Sequence, residues 1–348
     1  MTLPQPPLPP SMPSAEPQVP RRRLPTLSAT ARRSGMLLAV LAGGAYLAFS
    51  LSLHPQQVQL GLERLGITGI AAILGLSLLN YLLRFLRWHW YLTRLGHRLP
   101  LMRHALIYLS GFALTVSPGK AGEALRGLYL RPWGVHYARS FAVLLVERLL
   151  DLLALALLAS LLLRLLPGLG ASVLVAIVLA GVIAYGAGAR APRRWLERFS
   201  RTPRRHLGLS RFTAELASMM GACAAVLKPQ RLLPGIVLGL LSWGAEGLGL
   251  YLLLQALGFE LSPDLAAGVF AAAALAGAAL LFMPGGLGGA EAAMTALLVG
   301  FGASLPLALT ATLLCRLATL WFAVFLGLIA VAALETWPGQ TTASGEPP

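Results

Sequence analysis

Nine ionisable residues lie within or beside strongly apolar stretches of this 348-residue sequence: Lys120, Glu123, Arg126, Glu147, Arg148, Asp151, Glu246, Glu291 and Arg316. A charged group at membrane depth costs a few kcal/mol, so such a residue normally faces a cavity or a partner of opposite charge. Arginine and lysine bind anionic groups, while carboxylates hold these cations in place or meet a cationic group. With the exception of Glu246, we predict that these residues form a binding site for a charged substrate.

Two breaks interrupt the apolar sequence, and each is followed by helix-forming residues that include a glutamate. The residues of the breaks are Pro118, Gly119, Gly122, Pro284, Gly285, Gly286 and Gly288. Proline lacks a backbone donor and glycine permits non-helical backbone angles, so a helix must stop at each break. In lipid, an interrupted helix is tolerated only where protein buries it or where it lines a water-filled cavity. The two breaks therefore favour a solute site built between two repeats.

Several of these residues have a plain structural interpretation that stays open. Glu123 and Glu291 stand in the first turn after a break, where a carboxylate stabilises the start of its own helix. Lys120, one of only two lysines in the chain, could neutralise Glu123 or satisfy hairpin carbonyls instead of binding a substrate. The glycines could serve close helix packing, as they often do in membrane helices.

The apolar runs predict an all-α polytopic membrane protein, because a helical span needs about 20 apolar residues. Six runs are interpreted as full spans: 36–53, 66–86, 138–166, 170–188, 233–257 and 305–334. Two further stretches, 104–131 and 265–301, surround the breaks, and we predict that each forms a re-entrant helical hairpin. Hydrophobic residues make up 57% of the chain and charged residues only 12%, which excludes a soluble globular domain.

Arginine placement predicts the orientation of the spans, because cytoplasmic loops carry an excess of basic residues. Residues 1–34 contain nine prolines and five arginines and are predicted to form a disordered cytoplasmic tail. The arginine-rich loop at 189–232 and a short tail at 336–348 are also assigned to the cytoplasm, whereas the link at 54–65 is assigned to the outside. We therefore predict a multi-pass bacterial inner-membrane protein with both termini in the cytoplasm.

Two basic segments bear on this topology. Arg84 and Arg87 mark the end of the second span and are assigned to its cytoplasmic side. Within the arginine-rich loop, residues 210–227 have two open interpretations. They form an interfacial helix near anionic lipid headgroups, or they belong to a solvated basic loop that only sets the orientation.

The membrane domain at 35–335 contains two similar units, at 66–164 and 233–334. Each unit has a span, a hairpin and a second span. The arginines of the first hairpin predict that it enters the membrane from the cytoplasm. The second hairpin lacks basic residues and is predicted to enter from outside. The two units therefore predict an inverted repeat.

The same glutamate-to-arginine spacing occurs in both units. Glu123 and Arg148 are 25 residues apart (148 − 123), as are Glu291 and Arg316 (316 − 291). In the first unit, Pro132 and Gly134 mark the turn between the two arms. Two helices that leave one turn bring residues equally far along each arm to the same height, so we predict two ion pairs. The geometry leaves the rotation of each helix open, and Glu147 or Asp151 could take an arginine instead.

Composition and motifs exclude several other classes of function. The net charge of +15 comes from arginines between apolar runs and not from a separate basic domain, so nucleic-acid binding is not predicted. Two distant cysteines and six histidines show no metal-ligand spacing. Neither a Gly-x-Ser-x-Gly elbow nor a phosphate-binding P-loop is present. We therefore predict a non-enzymatic protein without a metal or another cofactor.

The ordered motifs resemble those of the lysylphosphatidylglycerol synthase transmembrane, or flippase-like, family. The resemblance rests on three groups of residues: Arg84 and Arg87-Trp88; Pro118 to Glu123 with Arg126, Glu147, Arg148 and Asp151; and Pro284 to Gly288 with Glu291 and Arg316. It covers roughly residues 35–335. It implies a lipid-handling membrane domain, and the soluble aminoacyltransferase half of the bifunctional family members has no counterpart in this sequence.

Two functions are compatible with this sequence. In the first, the protein binds a lipid or polyprenyl-linked headgroup and moves it between leaflets, with further anionic headgroups at the arginine-rich loop. In the alternative, it is a non-transporting accessory or scaffold subunit for an enzyme of envelope lipid or glycan biosynthesis. A membrane-embedded transferase is disfavoured because no nucleophile or metal constellation is present.

Overall fold

The computed structural model describes residues 34, 37, 40–46, 48, 52, 55–116, 121–200, 207–279 and 286–336. Within these residues the regular structure is helical, and no β-strand occurs. The predicted tails lie almost entirely outside the described residues, as do Pro118, Gly119, Lys120, Pro284 and Gly285. The described residues of the predicted first span are helical.

The first half of the fold is built from four helices around a broken segment. They are α1 (Pro55–Arg94), α2 (Leu101–Ser110), α3 (Ala121–Leu130) and α4 (Tyr137–Ala159), and a 3-10 turn over Ser160–Arg164 extends the last one. Pro132 and Gly134 lie in the turn between α3 and α4, where Gly134 has a φ of 74°. The predicted turn between these two arms is therefore confirmed.

The described residues of the second half form eight α-helices. They are α5 (Gly170–Gly188), α6 (Arg190–Ser200), α7 (Leu207–Val226), α8 (Pro229–Ala256), α9 (Pro263–Ala279), α10 (Gly289–Gly300), α11 (Leu305–Arg316) and α12 (Phe322–Thr336). A π-helical turn over Leu317–Trp321 joins α11 to α12 without a break in the helical path.

Among the described residues, three helices are long and apolar enough to cross a membrane: Val58–Arg94, Pro229–Ala256 and Leu305–Thr336. The 23-residue helix α4 is also long enough, but four charged residues interrupt its apolar sequence. Together with the shorter apolar helices, these features identify a multi-pass membrane protein. The count of six spans stays a prediction.

The link predicted at 54–65 is not extended chain, because helical structure begins at Pro55 and continues to Arg94. Gly66 separates the added helical segment from the predicted span, with a φ of 57° and a ψ of −178°. A left-handed φ favours glycine. The polar composition of this segment did not predict a helix. The helical path is interrupted only at Gly66.

The arginine-rich segment at 189–232, predicted as a cytoplasmic loop, contains helices. It includes α6 and α7, which pack against each other, and α7 also packs against α4. Cys223 and Val226 of α7 are fully buried in the core. The helix that one interpretation placed at 210–227 is therefore present, over Leu207–Val226, and one of its faces is buried in the protein. Its position at a lipid interface stays a prediction.

Helix contacts between the two units of the fold are reciprocal. Helix α1 packs against α8, the helix that opens the other unit. Helix α2 of the first broken segment packs against α12, and α9 of the second broken segment packs against α4. Each broken segment therefore rests on the last helix of the opposite unit.

The contact between α12 and the first broken segment is close enough to exclude a side chain. A Cβ atom at Gly327 would lie 2.9 Å from the Cα atom of Ala113 and closer still to its backbone nitrogen. We expect Gly327→Ala to lower the free energy of unfolding by about 1–3 kcal/mol, because backbone atoms cannot move aside as a flexible side chain can.

Gly244→Ala is the matched control, since a Cβ atom at Gly244 would meet nothing within 4 Å. In a helix this change alone should stabilise by roughly 0.5–1 kcal/mol. Thermal unfolding of the purified proteins, followed by tryptophan fluorescence, measures both effects. Equal midpoints for the two variants would contradict the close contact.

Candidate functional site

One face of α1 carries four polar residues: Ser77, Asn80, Arg84 and Arg87. Their spacing of three, four and three residues places them on one side of the helix. All four are buried. This face packs against α8 and α4, so the polar groups must find partners on those helices.

Asp151 of α4 is the principal partner of the arginines. The Arg87 guanidinium donates to its Oδ1 atom, and the Nη2 atom of Arg84 lies 3.2 Å from its Oδ2 atom. Arg148, three residues earlier on the same helix, lies 3.3 Å from Oδ2. Because one carboxylate accepts from three guanidinium groups, Asp151 joins α1 to α4.

Glu147 lies one turn before Asp151 and is completely buried. Its two carboxylate oxygens lie 3.9 Å from Arg87 and 3.8 Å from Arg126. These distances allow ion pairing but exceed hydrogen-bond length, and neither oxygen has a hydrogen-bond donor among the described residues. The carboxylate therefore balances the charge of two arginines and keeps hydrogen-bonding capacity.

Arg126 brings the helix that follows the first break into this group. Its Nε atom donates to the carbonyl of Tyr108 at 2.9 Å. Its guanidinium lies 4.0 Å from the ring centroid of Tyr108, 5.3 Å from that of Phe112 and 5.5 Å from that of Trp88. Aromatic faces attract a buried cation, so these rings help to hold Arg126 at its position.

Helix α8 closes the remaining side of the group. Arg84 lies 5.0 Å from the ring centroid of Trp243, and Arg87 donates to the carbonyl of Gly235 at 3.3 Å. A Cβ atom at Gly239 would lie 3.1 Å from the Nη1 atom of Arg87. A side chain at 239 would therefore crowd the guanidinium, and glycine leaves it space.

We call these six residues the arginine cluster: Arg84, Arg87, Arg126, Glu147, Arg148 and Asp151. Four cations and two anions leave a charge of +2 (4 − 2) on these side chains. Five of the side chains are almost completely buried, whereas that of Arg148 is 31% exposed. The cluster can therefore attract an anion, and Arg148 is its accessible member.

The second unit contains a separate ion pair. The Nε atom of Arg316 lies 2.7 Å from Oε1 of Glu291, which confirms the predicted pair. The other oxygen of Glu291 accepts from the backbone nitrogen of Gly288 at 2.7 Å, so the carboxylate also caps its own helix. Gly286 and Gly288 have φ values of 68° and 86°, which confirms that the backbone breaks there.

The structure brings four predicted site residues together: Arg126, Glu147, Arg148 and Asp151. Glu291 and Arg316 form their own pair and are not members of this cluster. Glu123 and Gly122 belong to α3, but their side-chain surroundings lie outside the described features. The predicted Glu123–Arg148 pair therefore stays a prediction, and Arg148 contacts Asp151.

The sequence did not predict the burial of Arg84 and Arg87. They lie inside the helix bundle, with Arg87 completely buried and Arg84 7% exposed. Their position near the cytoplasmic end of the second span stays a prediction. Their spacing with Ser77 and Asn80 along one helix face was the signal that could have identified them. Trp243, which covers Arg84, gives no comparable signal in the sequence.

The family described as "Lysylphosphatidylglycerol synthase TM region" matches residues 36–327. The chain belongs to this family. The match includes both broken segments, the arginine cluster and the Glu291–Arg316 pair. It places the protein among membrane proteins of lipid metabolism or transport. No curated protein matches the chain.

Asp151→Asn tests the central carboxylate. The change removes the negative charge that three arginines share, and breaking a buried ion pair costs about 3–5 kcal/mol. We expect strongly reduced accumulation and a lower unfolding midpoint. Asp264→Asn is the matched control, because Asp264 pairs with Arg164 at an exposed position and such pairs are worth about 0–1 kcal/mol. Similar losses in the two variants would contradict the central role of Asp151.

Charge reversal tests the second pair. Glu291→Arg and Arg316→Glu should each reduce the yield of folded protein, because two like charges then meet below the surface of the bundle. The double variant should recover part of the yield. Recovery should be incomplete, since the hydrogen bond to the Gly288 nitrogen is lost. The yield of monodisperse protein after purification is the measurement, and a double variant no better than the worse single one would contradict the pair.

Proposed function

We propose that this protein binds the anionic headgroup of a lipid or polyprenyl-linked substrate and moves it between the leaflets of a bacterial inner membrane. The observation that carries the proposal is the arginine cluster itself, in which four guanidinium groups meet and Arg148 is partly exposed. Family membership supports a lipid substrate, and the cluster supports an anionic one.

The chemistry of the cluster favours a phosphate-bearing group. Guanidinium groups offer several donors in a fixed plane that matches phosphate oxygens. Arg148 is the accessible cation, and Asp151 holds it within reach of Arg84. A bound phosphate would share these donors with Asp151 and would lower the net positive charge of the cluster.

The proposed movement uses the two units as an inverted repeat with a re-entrant hairpin in each. Reciprocal packing supports this arrangement, because α2 rests on α12 in the same way that α9 rests on α4. The broken backbone at Gly286 and Gly288 supports a segment that does not cross the membrane as one helix. Both termini are proposed to face the cytoplasm.

A cleft of about 510 Å³ supports a headgroup contact at the arginine-rich segment. It lies between α4, α6 and α7, and its lining includes Arg139, Arg193 and Glu197. Partial burial and the neighbouring Arg139 charge lower the pKa of His97, so its neutral ring can accept from Arg139 at 3.1 Å. We propose that anionic lipid headgroups bind here. The proposal includes no chemical change to the lipid and no cofactor.

Reconstituted vesicles with fluorescent lipids test the proposal. Arg148→Gln should slow the movement of phosphatidylglycerol at least tenfold, since a hydrogen bond to a charged group is worth about 1.5–3 kcal/mol. Phosphatidylcholine, which carries no net charge, should move more slowly than phosphatidylglycerol in the unaltered protein.

Arg164→Gln is the matched control because Arg164 is an exposed arginine outside the cluster, paired with Asp264. It should leave lipid movement unchanged. Unchanged leaflet distribution with every anionic lipid would overturn the proposal and favour the scaffold function. If lipid moves at the same rate with the Arg148 and Arg164 variants, the arginine cluster has no part in the movement.

A further inference from the structure

Glu246 is a buried acid that the arginine cluster does not use. It lies on α8 and is only 3% exposed. The hydroxyl of Ser77 donates to its Oε2 atom at 3.0 Å. One turn earlier on α8, the Ser242 carbonyl accepts from Asn80 at 2.8 Å. Glu246 therefore belongs to a polar seam between the first helices of the two units.

The partners of Glu246 differ from those of the other acids in this region. Asp151 and Glu291 each have a guanidinium within hydrogen-bond distance. Among the described residues, no basic group lies within 4 Å of Glu246, and its side-chain hydrogen bond comes from the neutral Ser77. An ionised carboxylate is strongly disfavoured in such a place, so the acid binds a proton instead.

The charged and titratable groups around Glu246 come from two neighbouring helices. Helix α1 contributes Tyr81 and Arg84, and α11 contributes Cys315 and Arg316. The two arginines act on Glu246 only from beyond ion-pair distance, because Arg84 is held by Asp151 and Arg316 by Glu291.

The other helices packed against α8 bring no acid or base to Glu246. Glu147, Arg148 and Asp151 of α4 belong to the arginine cluster, and its other titratable residues, Tyr137 and Arg139, lie in the first turn of that helix. Asp264 of α9 pairs with Arg164 at an exposed position. Arg84 is therefore the group that connects Glu246 to the arginine cluster.

We propose that Glu246 is a proton-binding site whose protonation is coupled to the binding of an anionic headgroup at the arginine cluster. The coupling rests on the function proposed above. A negative headgroup beside Arg84 and Arg148 offsets their positive potential, which favours the neutral acid at Glu246. At a pH high enough to ionise Glu246 in the absence of a headgroup, the carboxylate takes up one proton from solvent as the headgroup binds and returns it when the headgroup leaves. By linkage, a proton bound at Glu246 strengthens headgroup binding by the same factor.

Infrared spectroscopy of the purified full-length protein in vesicles tests the proton site without any transport. The carbonyl stretch of a protonated carboxylic acid should be present near neutral pH and should disappear as the pH rises. Glu246→Gln should abolish this band, and the variant should fold because glutamine resembles the neutral acid and keeps the Ser77 contact. Glu215→Gln, at an exposed acid on α7, should retain the band. Identical spectra for the unaltered and Glu246→Gln proteins would overturn the proton site.

Proton uptake and lipid movement test the coupling. Addition of a short-chain phosphatidylglycerol to weakly buffered protein, at a pH where the infrared band has disappeared, should cause proton uptake, which a pH dye detects and Glu246→Gln abolishes. In vesicles, a pH gradient should accelerate phosphatidylglycerol movement by the unaltered protein and leave Glu246→Gln unaffected.

The outcomes separate this inference from the proposed function. If lipid movement does not depend on the pH gradient while the infrared band is normal, the coupling alone is overturned. A normal infrared band and proton uptake without movement of any lipid would overturn transport and leave proton-linked headgroup binding in place.

Discussion

The carboxylate of Asp151 imposes the constraint on which the rest of the structure depends. Arg84 and Arg87 lie within an apolar helix, and burying them is tolerable only if an anion meets them. Asp151 supplies that anion and fixes the rotation and height of α1 relative to α4. Helix α8 packs beside these guanidinium groups. Its Gly239 leaves space for Arg87, and the ring of its Trp243 lies against Arg84.

The polar seam between α1 and α8 follows from this constraint. The face of α1 that presents its arginines to α4 and α8 also presents Ser77 and Asn80, which bond to Glu246 and Ser242. Such hydrogen bonds between membrane helices contribute only about 0.6 kcal/mol each. The seam therefore specifies the alignment of the two helices, and its hydrogen bonds add little free energy to their association.

The two units hold their charges in different ways. In the first, six side chains from three helices share charge, and one of them is partly exposed. In the second, Glu291 and Arg316 form a pair in which the glutamate also caps a helix start. The two arginines that share this spacing thus have different surroundings: Arg148 belongs to the arginine cluster, whereas Arg316 pairs with Glu291. The contributions of α1 and its arginines make the difference.

The sequence by itself determined the helical membrane class, the two breaks, the turn at Pro132 and Gly134, and the pairing of Glu291 with Arg316. These features depend on local composition or on equal distances from one turn. Only the tertiary structure decided that Arg84 and Arg87 face inward, because their acid, Asp151, lies 67 and 64 residues away along the chain. It also decided that the arginine-rich segment folds into α6 and α7 against the bundle. Local charge patterns indicate which side of a membrane a segment prefers, but the burial of an arginine depends on a partner that a distant helix brings to it.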